Sequence, residues 1–146
     1  MGVFARCKMV RVERDVAFIN KIANDADVRP FIRPDGEAMD FSAIEGKRNA
    51  EIGGVILSNG EDAVAIFEIT ADDCFQAHTM FAPTCRGRKA IDAAKEMVAW
   101  MFAHGARIVW GATPHENKRA IMFNHLIGAR EVARDDTHVI FEMKAA

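Results

Sequence analysis

Tyrosine is absent from the sequence altogether. No phenol is therefore available anywhere in the chain as a proton donor, and acid chemistry must come from other groups or from water. Cysteine is scarce: Cys7, Cys74 and Cys85 form an odd, scattered set without CxxC spacing. That excludes a disulfide framework and a zinc site, and reads as free thiols in a reducing compartment. No apolar run approaches the ~20 residues that span a bilayer. The beginning, "MGVFARCKMVRVERD", alternates polar and apolar residues and lacks a signal-peptide core. A soluble, cytoplasmic protein with no membrane partner is expected. An excess of one charge is missing too: the formal net charge of −2 argues against a general nucleic-acid binder, so any basic site must be local. No internal repeat, low-complexity tract or linker interrupts the 146 residues, which fit one domain (1–146) around a single core.

Periodicity gives the elements. Val3 to Val12 alternates as a strand, and Glu13 to about Asn24 reads as a helix with acids in its first turn and Val16, Ile19, Ile22 and Ala23 on its apolar face. "NDADVRPFIRPDGE" then breaks into a turn or loop. In "EIGGVILSNGEDAVAIFEIT", two β-rich runs flank Asn59-Gly60, the preferred pair for a type I′ hairpin turn. A second turn at Ala71-Asp72-Asp73 leads into "CFQAHTMFAP", a third strand ended by Pro83. The period then changes: Ile91, Ala94, Met97, Val98 and Met101 share a helical face, and Gly105 supplies a stop. "ARIVWGATP" is a short buried strand, Asn117 to Ile127 a second helix, and "AREVARDDTHVIFEMK" two strands around Asp135-Asp136. The order β-α-β-β-β-α-β-α-β-β predicts an α+β fold, with helices packed on the faces of a sheet.

One junction stands out. In "FAPTCRGRKAIDAA", Arg86, Arg88 and Lys89 crowd around Gly87 where a strand passes into a long helix. A helix N-terminus carries free N–H groups and roughly half a positive charge. A glycine turn lets that backbone approach an anion closely, so the junction is a candidate phosphate cradle. A solvated, charged turn is the alternative. The single glycine excludes both the P-loop and the GxGxxG fingerprint.

This combination resembles the acyl-CoA-binding motif of the GCN5-related N-acetyltransferases (GNAT). Phe81-Ala82-Pro83 is similar to that family's V-x-P strand end, and Arg86-Gly87 to its Arg-Gly pair. "ENKRAIMFNHLIGAREV" is similar to a second segment, with Asn117, Ala120, Phe123 and Gly128 in register. The resemblance implies a GNAT-type fold: a mixed, mostly antiparallel sheet flanked by helices, with the third meander strand and the strand after the long helix splayed apart. It also implies acetyl-CoA as cofactor and a small-molecule or peptide amine as acceptor, attacking the thioester directly. Main-chain groups near Met80 and Phe81 would then bond the pantetheine arm. Backbone N–H groups from Arg86 to Ala90 (through Gly87, Arg88 and Lys89) would hold the pyrophosphate, and Asn117 would contact the cofactor.

The sequence departs from that family in three places. Lys89 replaces the motif glycine, and Ile91 the following small residue. Asn124 stands where the family often has a tyrosine that protonates the leaving thiolate; it would instead contact the cofactor by a hydrogen bond to the sulfur. Counting back from Phe81 by twos reaches Thr79, Ala77 and Phe75, none of them basic. His78 has the opposite parity and would share that face only across a bulge; with Glu68 on the neighbouring strand it makes up the candidate catalytic set. Trp100, Trp110, Phe102, Phe123 and Phe141 are expected in the core and its interfaces, and His104 near a helix C-terminus. His115 and Glu116 are loop residues at the cleft mouth. Cys85, beside the basic junction, is expected to favour its thiolate. Arg29 and Arg33 belong to the segment that shapes the acceptor pocket in the family. Two further readings stay open: a non-catalytic, CoA-binding or interaction module of the same fold, such as a virion-associated protein, and a nucleic-acid binder. The acidic balance disfavours the second of these. A phage-encoded member and a homodimer are both compatible with the sequence.

Overall fold

The computed structural model describes residues 10–146. Strand β1 appears as Arg11–Val12, with Val10 just before it; residues 3–9 of the expected first strand, with Cys7, lie outside the described residues. Helix α1 (Val16–Ala23) buries Val16, Ile19, Ile22 and Ala23, as the periodicity requires. It starts later than Glu13 because Glu13 is no solvated first-turn acid. This carboxylate is buried, accepting from the Arg14 and Asp15 N–H groups, the Ser58 hydroxyl and the Arg11 guanidinium. Asp15 caps the helix instead, accepting from the Phe18 N–H at 3.2 Å.

The segment expected to be a loop carries helix α2 (Arg29–Ile32), with Pro30 in the first turn, where a missing N–H breaks no helical bond. A 3-10 turn (Ser42–Ile44) and helix α3 (Asn49–Ile52) follow, in a stretch with no legible periodicity. Asn24 pins this excursion, donating to the Met39 carbonyl at 2.7 Å and accepting from the Met39 N–H at 2.6 Å.

The meander consists of β2 (Gly54–Ser58), β3 (Ala63–Ala71) and β4 (Cys74–Phe81). Its first turn is not the expected two-residue type. Ser58 pairs with Val64, and the Asn59 side-chain oxygen accepts from the Glu61, Asp62 and Ala63 N–H groups at 2.9–3.0 Å. Asn59 therefore organises a longer turn with its side chain, rather than starting a short one with its backbone. The second turn is tight: Ala71 pairs with Cys74, and Asp73 takes the left-handed conformation at φ 57°. Helix α4 (Arg88–Ala103), β5 (Ile108–Pro114), α5 (Lys118–Leu126), β6 (Arg130–Arg134) and β7 (His138–Lys144) complete the chain.

The seven strands form one sheet in the order β1-β2-β3-β4-β5-β7-β6. Every neighbouring pair is antiparallel except β4–β5, which is parallel. Strand parity sorts the sheet into two packed faces. Ala63, Ala65, Phe67 and Val109 meet Ala90, Ala93, Met97, Val98 and Met101 of α4. Val64, Ile56 and Met80 meet Ile19, Ile22 and Ala23 of α1 on the other face. Each fully buried side chain of this size stabilises the fold by about 1.5–3 kcal/mol. Phe141 is buried, and Trp100, Phe102 and Phe123 pack against the α4-side cluster as expected. Trp110 does not join the core: its indole N–H crosses the α1 face of the sheet to donate to the Thr70 hydroxyl at 3.0 Å.

Candidate cofactor cleft

The parallel pair β4–β5 holds together only over Cys74–Gln76 and Ile108–Trp110. Beyond that, β4 stays paired with β3 as far as Phe81, and β5 with β7 as far as Pro114. The two strands diverge and leave a cavity of about 260 Å³ in the middle of the sheet. Ala77, Thr79, Gly111, Thr113, Asn117 and Asn124 are among its lining residues.

Ladder alternation decides which backbone groups face this gap. The Ala82 N–H donates to the Asp62 carbonyl, so in the register that pairs Ala63 with Phe81, Met80 bonds Val64 of β3. Thr79 and Phe81, one position either side, turn their main-chain groups toward the gap. Of the two strand-end residues expected there, Phe81 faces it through its main chain and Met80 faces β3; Thr79, reached in the sequence only as a non-basic side chain, faces the gap through its main chain as well.

β4 runs on past this cavity through Phe81 to Gly87 and α4, and Phe123 lines both this cavity and a second one beside Gly87. Gly87 precedes the helix at φ 58°, ψ −129°, a conformation that only glycine adopts without strain, and a Cβ built there meets nothing within 4 Å. Gly87 has no side chain to cap α4, and the first helical bond is donated by the Ile91 N–H to the Gly87 carbonyl. The N–H groups of Arg88, Lys89 and Ala90 thus form the uncapped positive end of a sixteen-residue helix.

The three cations do not stand free around it. Arg86 donates to the Phe81 carbonyl at 2.6 Å, and Arg88 reaches Asp92 at 3.4 Å. Lys89 donates to Asp62 at 2.7 Å and lies 3.3 Å from Glu61. The Asp62 hydrogen bond, above all, raises the Lys89 pKa. Asp62, in the β2–β3 turn, is 2 % exposed and had no signal in the sequence beyond its place in a polar turn. Burial alone would raise its carboxyl, but donors from Lys89, Asn59 and Thr84 hold it below the ordinary value. Cys85 corrects an expectation outright. It is fully buried, and burial together with nearby Asp62 pushes its thiol up to about 12, so the adjacent cations do not produce a thiolate.

The two catalytic candidates meet at the opposite mouth. His78 Nε2 lies 3.3 Å from Glu68 Oε1 and both side chains are exposed. The β3–β4 register runs unbroken from Ile69–Phe75 to Ala63–Phe81, so no bulge turns His78 toward the α4 side. It lies on the α1 face and borders the cavity there with Phe31 and Ile32 of α2. Asn117 caps α5 by accepting from the Ala120 N–H at 3.1 Å. Asn124 donates to the buried Thr113 hydroxyl at 3.0 Å. His115 is tied to the Asp135 carbonyl at 2.7 Å and His104 to the Trp100 carbonyl at 2.8 Å. Arg33 pairs with Asp35 and Glu37, whereas Arg29 has a buried Nε without a partner among the described residues. Among the described residues no His, Cys, Asp and Glu cluster has a metal-binding arrangement, and no helix is long and apolar enough to cross a membrane.

No protein-family model and no curated relative matches the sequence. Solved structures do match the fold. An N-acetyltransferase from Staphylococcus aureus Mu50 superposes with a TM-score of 0.70 at 14% identity, covering 94% of this chain and 98% of its own. Spermidine N-acetyltransferase from Vibrio cholerae, solved with CoA and spermine, gives 0.70 at 15% identity over 93% of this chain and 94% of its own. A GNAT-superfamily phosphinothricin acetyltransferase from Sinorhizobium meliloti, solved with acetyl-CoA, gives 0.69 at 13% identity over 93% and 87%. At such identities the likeness is one of architecture, and on that architecture, with its splayed β4–β5 pair, the chain has the GNAT acetyltransferase fold.

Proposed function

We propose that this chain is a single-domain, acetyl-CoA-dependent N-acetyltransferase acting on an amine by direct attack. The observation that supports it most is the parallel pair that opens after Gln76 and Trp110 into a gap, with β4 running on past it to the uncapped N-terminus of α4. An extended arm fits between the diverging strands, and a diphosphate fits at the N–H groups of Arg88, Lys89 and Ala90. Thr79 and Phe81 would bond the arm through their main chains, and Arg86 would add charge at the diphosphate. Asn117 would contact it through the side-chain N–H₂ that its capping role leaves free.

Bound acetyl-CoA supplies an activated acetyl thioester; the remaining chemistry belongs to this chain's residues. The acceptor would enter from the α1 face past Phe31, which is 74% exposed. With the neutral His78 ring donating from Nε2 to Glu68, Nδ1 keeps a lone pair for the amine proton. Thr113 accepts from Asn124 and so retains its own O–H to donate toward the leaving sulfur. Asn124 stands where the resemblance would place a tyrosine; the proton itself would come from water.

Calorimetric titration with acetyl-CoA, CoA and dephospho-CoA tests this reading. Saturable one-to-one binding supports it, and no binding at millimolar ligand by a folded sample refutes it. The missing phenol favours a second reading, a CoA-binding module without transfer. Binding without thioester cleavage across a panel of amines would select it.

A further inference from the structure

We infer that Asp62 is a positioning residue for the cofactor diphosphate, acting through Lys89 and Thr84; this rests on the acetyl-CoA reading above. Asp62 touches no part of the gap. Yet both oxygens of its carboxylate are engaged, Oδ1 accepting from Asn59 at 2.8 Å and Oδ2 from Thr84 and Lys89, each at 2.7 Å. Its main-chain carbonyl accepts from the Ala82 N–H at 2.9 Å. Ala82, Thr84 and Lys89 all belong to the connection between the end of β4 and the first turn of α4. One buried residue thus grips that connection at three places from a different loop, two through its carboxylate and one through its main chain.

The chemistry gives this grip its force. A carboxylate at 2 % exposure is tolerated only while its donors remain in place, so the donors are as fixed as the carboxylate. Asn59, which builds the β2–β3 turn, fixes Asp62 in turn. Lys89 is the critical arm. It occupies a position in the first turn of α4 where the resembling motif carries glycine, and a long side chain folded back there would cover the N–H groups that receive an anion. Asp62 draws the ammonium to the β2–β3 side instead. The backbone stays open and the positive charge stays close. The substitution of lysine for glycine and the buried aspartate 27 positions away are one device.

Calorimetry with CoA, and chemical-shift titration with pantetheine, which lacks the diphosphate, separate this role from a general loss of structure. Asp62→Asn is expected to raise the CoA Kd about tenfold, the worth of a charge-assisted hydrogen bond, and to leave pantetheine shifts unchanged. Adding Lys89→Gly to Asp62→Asn, which clears the helix N-terminus, is expected to return CoA affinity to within about threefold of wild type. Thr84→Val removes one uncharged arm without uncovering the carboxylate entirely and is expected to raise the CoA Kd about threefold, which decides the matter if Asp62→Asn does not fold. Wild-type CoA affinity in both Asp62→Asn and Thr84→Val overturns the proposal, as does equal weakening of CoA and pantetheine or no recovery in the double variant. A folded wild type that binds no CoA overturns the acetyl-CoA reading itself.

Discussion

Gly87→Ala isolates the backbone of the β4–α4 junction from every side-chain contact around it. At φ 58°, ψ −129° an alanine is strained, yet its methyl would meet nothing within 4 Å, so the perturbation is conformational alone. Holding a non-glycine residue in such a region costs about 1–3 kcal/mol. That energy has two places to appear. If the junction keeps its shape, folding stability falls, and in a domain of this length about 2–4 °C of Tm is lost per kcal/mol. If the junction relaxes, stability holds and CoA must restore the strained shape on binding, raising Kd roughly five- to 150-fold. The sum of the two free-energy changes should therefore equal the strain, however it divides. Chemical denaturation and calorimetric CoA titration of the same preparations measure both. Gly36→Ala, also at positive φ (80°) with nothing within 4 Å of a Cβ but in the loop after α2, is the control and should alter stability alone. A Gly87→Ala protein whose stability and CoA affinity both match wild type would refute the assignment of this turn.

Four further outcomes follow from the same geometry. Gly54→Ala would place its methyl against the Phe67 carbonyl oxygen on the neighbouring strand, with backbone on both sides, and is expected to cost about 1–3 kcal/mol in denaturant unfolding. Cys85, with its thiol at about 12, should resist iodoacetamide at pH 8 while partly exposed Cys74 labels, as peptide mass spectrometry would show. His78→Ala should lower turnover more at pH 7 than at pH 9, where the acceptor amine needs less help; an equal loss at both would remove His78 as the base. The folded pKa values of Asp62 and Glu13 lie below their ordinary values of 3.8 and 4.5 despite the opposing effect of burial, so hydrogen bonds and the neighbouring Lys89 and Arg11 charges together outweigh desolvation at both. Their contribution is complete above those values and is lost as pH falls through the lower folded ones. Asp62→Asn should accordingly flatten the loss of Tm on acidification below about pH 4.

The sequence by itself determined the order of the principal elements, because each rests on a local signal. The period-two runs of β3 and β4 and the apolar stripe of α4 need no distant partner to be recognised. The Arg86-Gly87 junction was legible for the same reason, since glycine at a strand-to-helix turn is a backbone requirement written in one residue. Short helices α2 and α3 were not, because four residues carry too little periodicity. Tertiary structure alone decided the electrostatics. Charge counted along the chain made Lys89 a free cation, Cys85 a reactive thiol and Glu13 a solvated helix acid. Pairing with buried Asp62, 27 positions away, holds exposed Lys89, while burial beside Asp62, 23 positions away, and beside Ser58, 45 positions away, reversed the other two. Position along a strand determines which face a side chain takes, so parity anticipated that His78 would lie off the Phe81 face unless a bulge intervened. Only the unbroken β3–β4 register placed it there, beside Glu68. The gap has no signal in periodicity or composition and was expected only from the family resemblance: it exists because two strands far apart in sequence stop pairing after Gln76 and Trp110, each holding instead to its other neighbour.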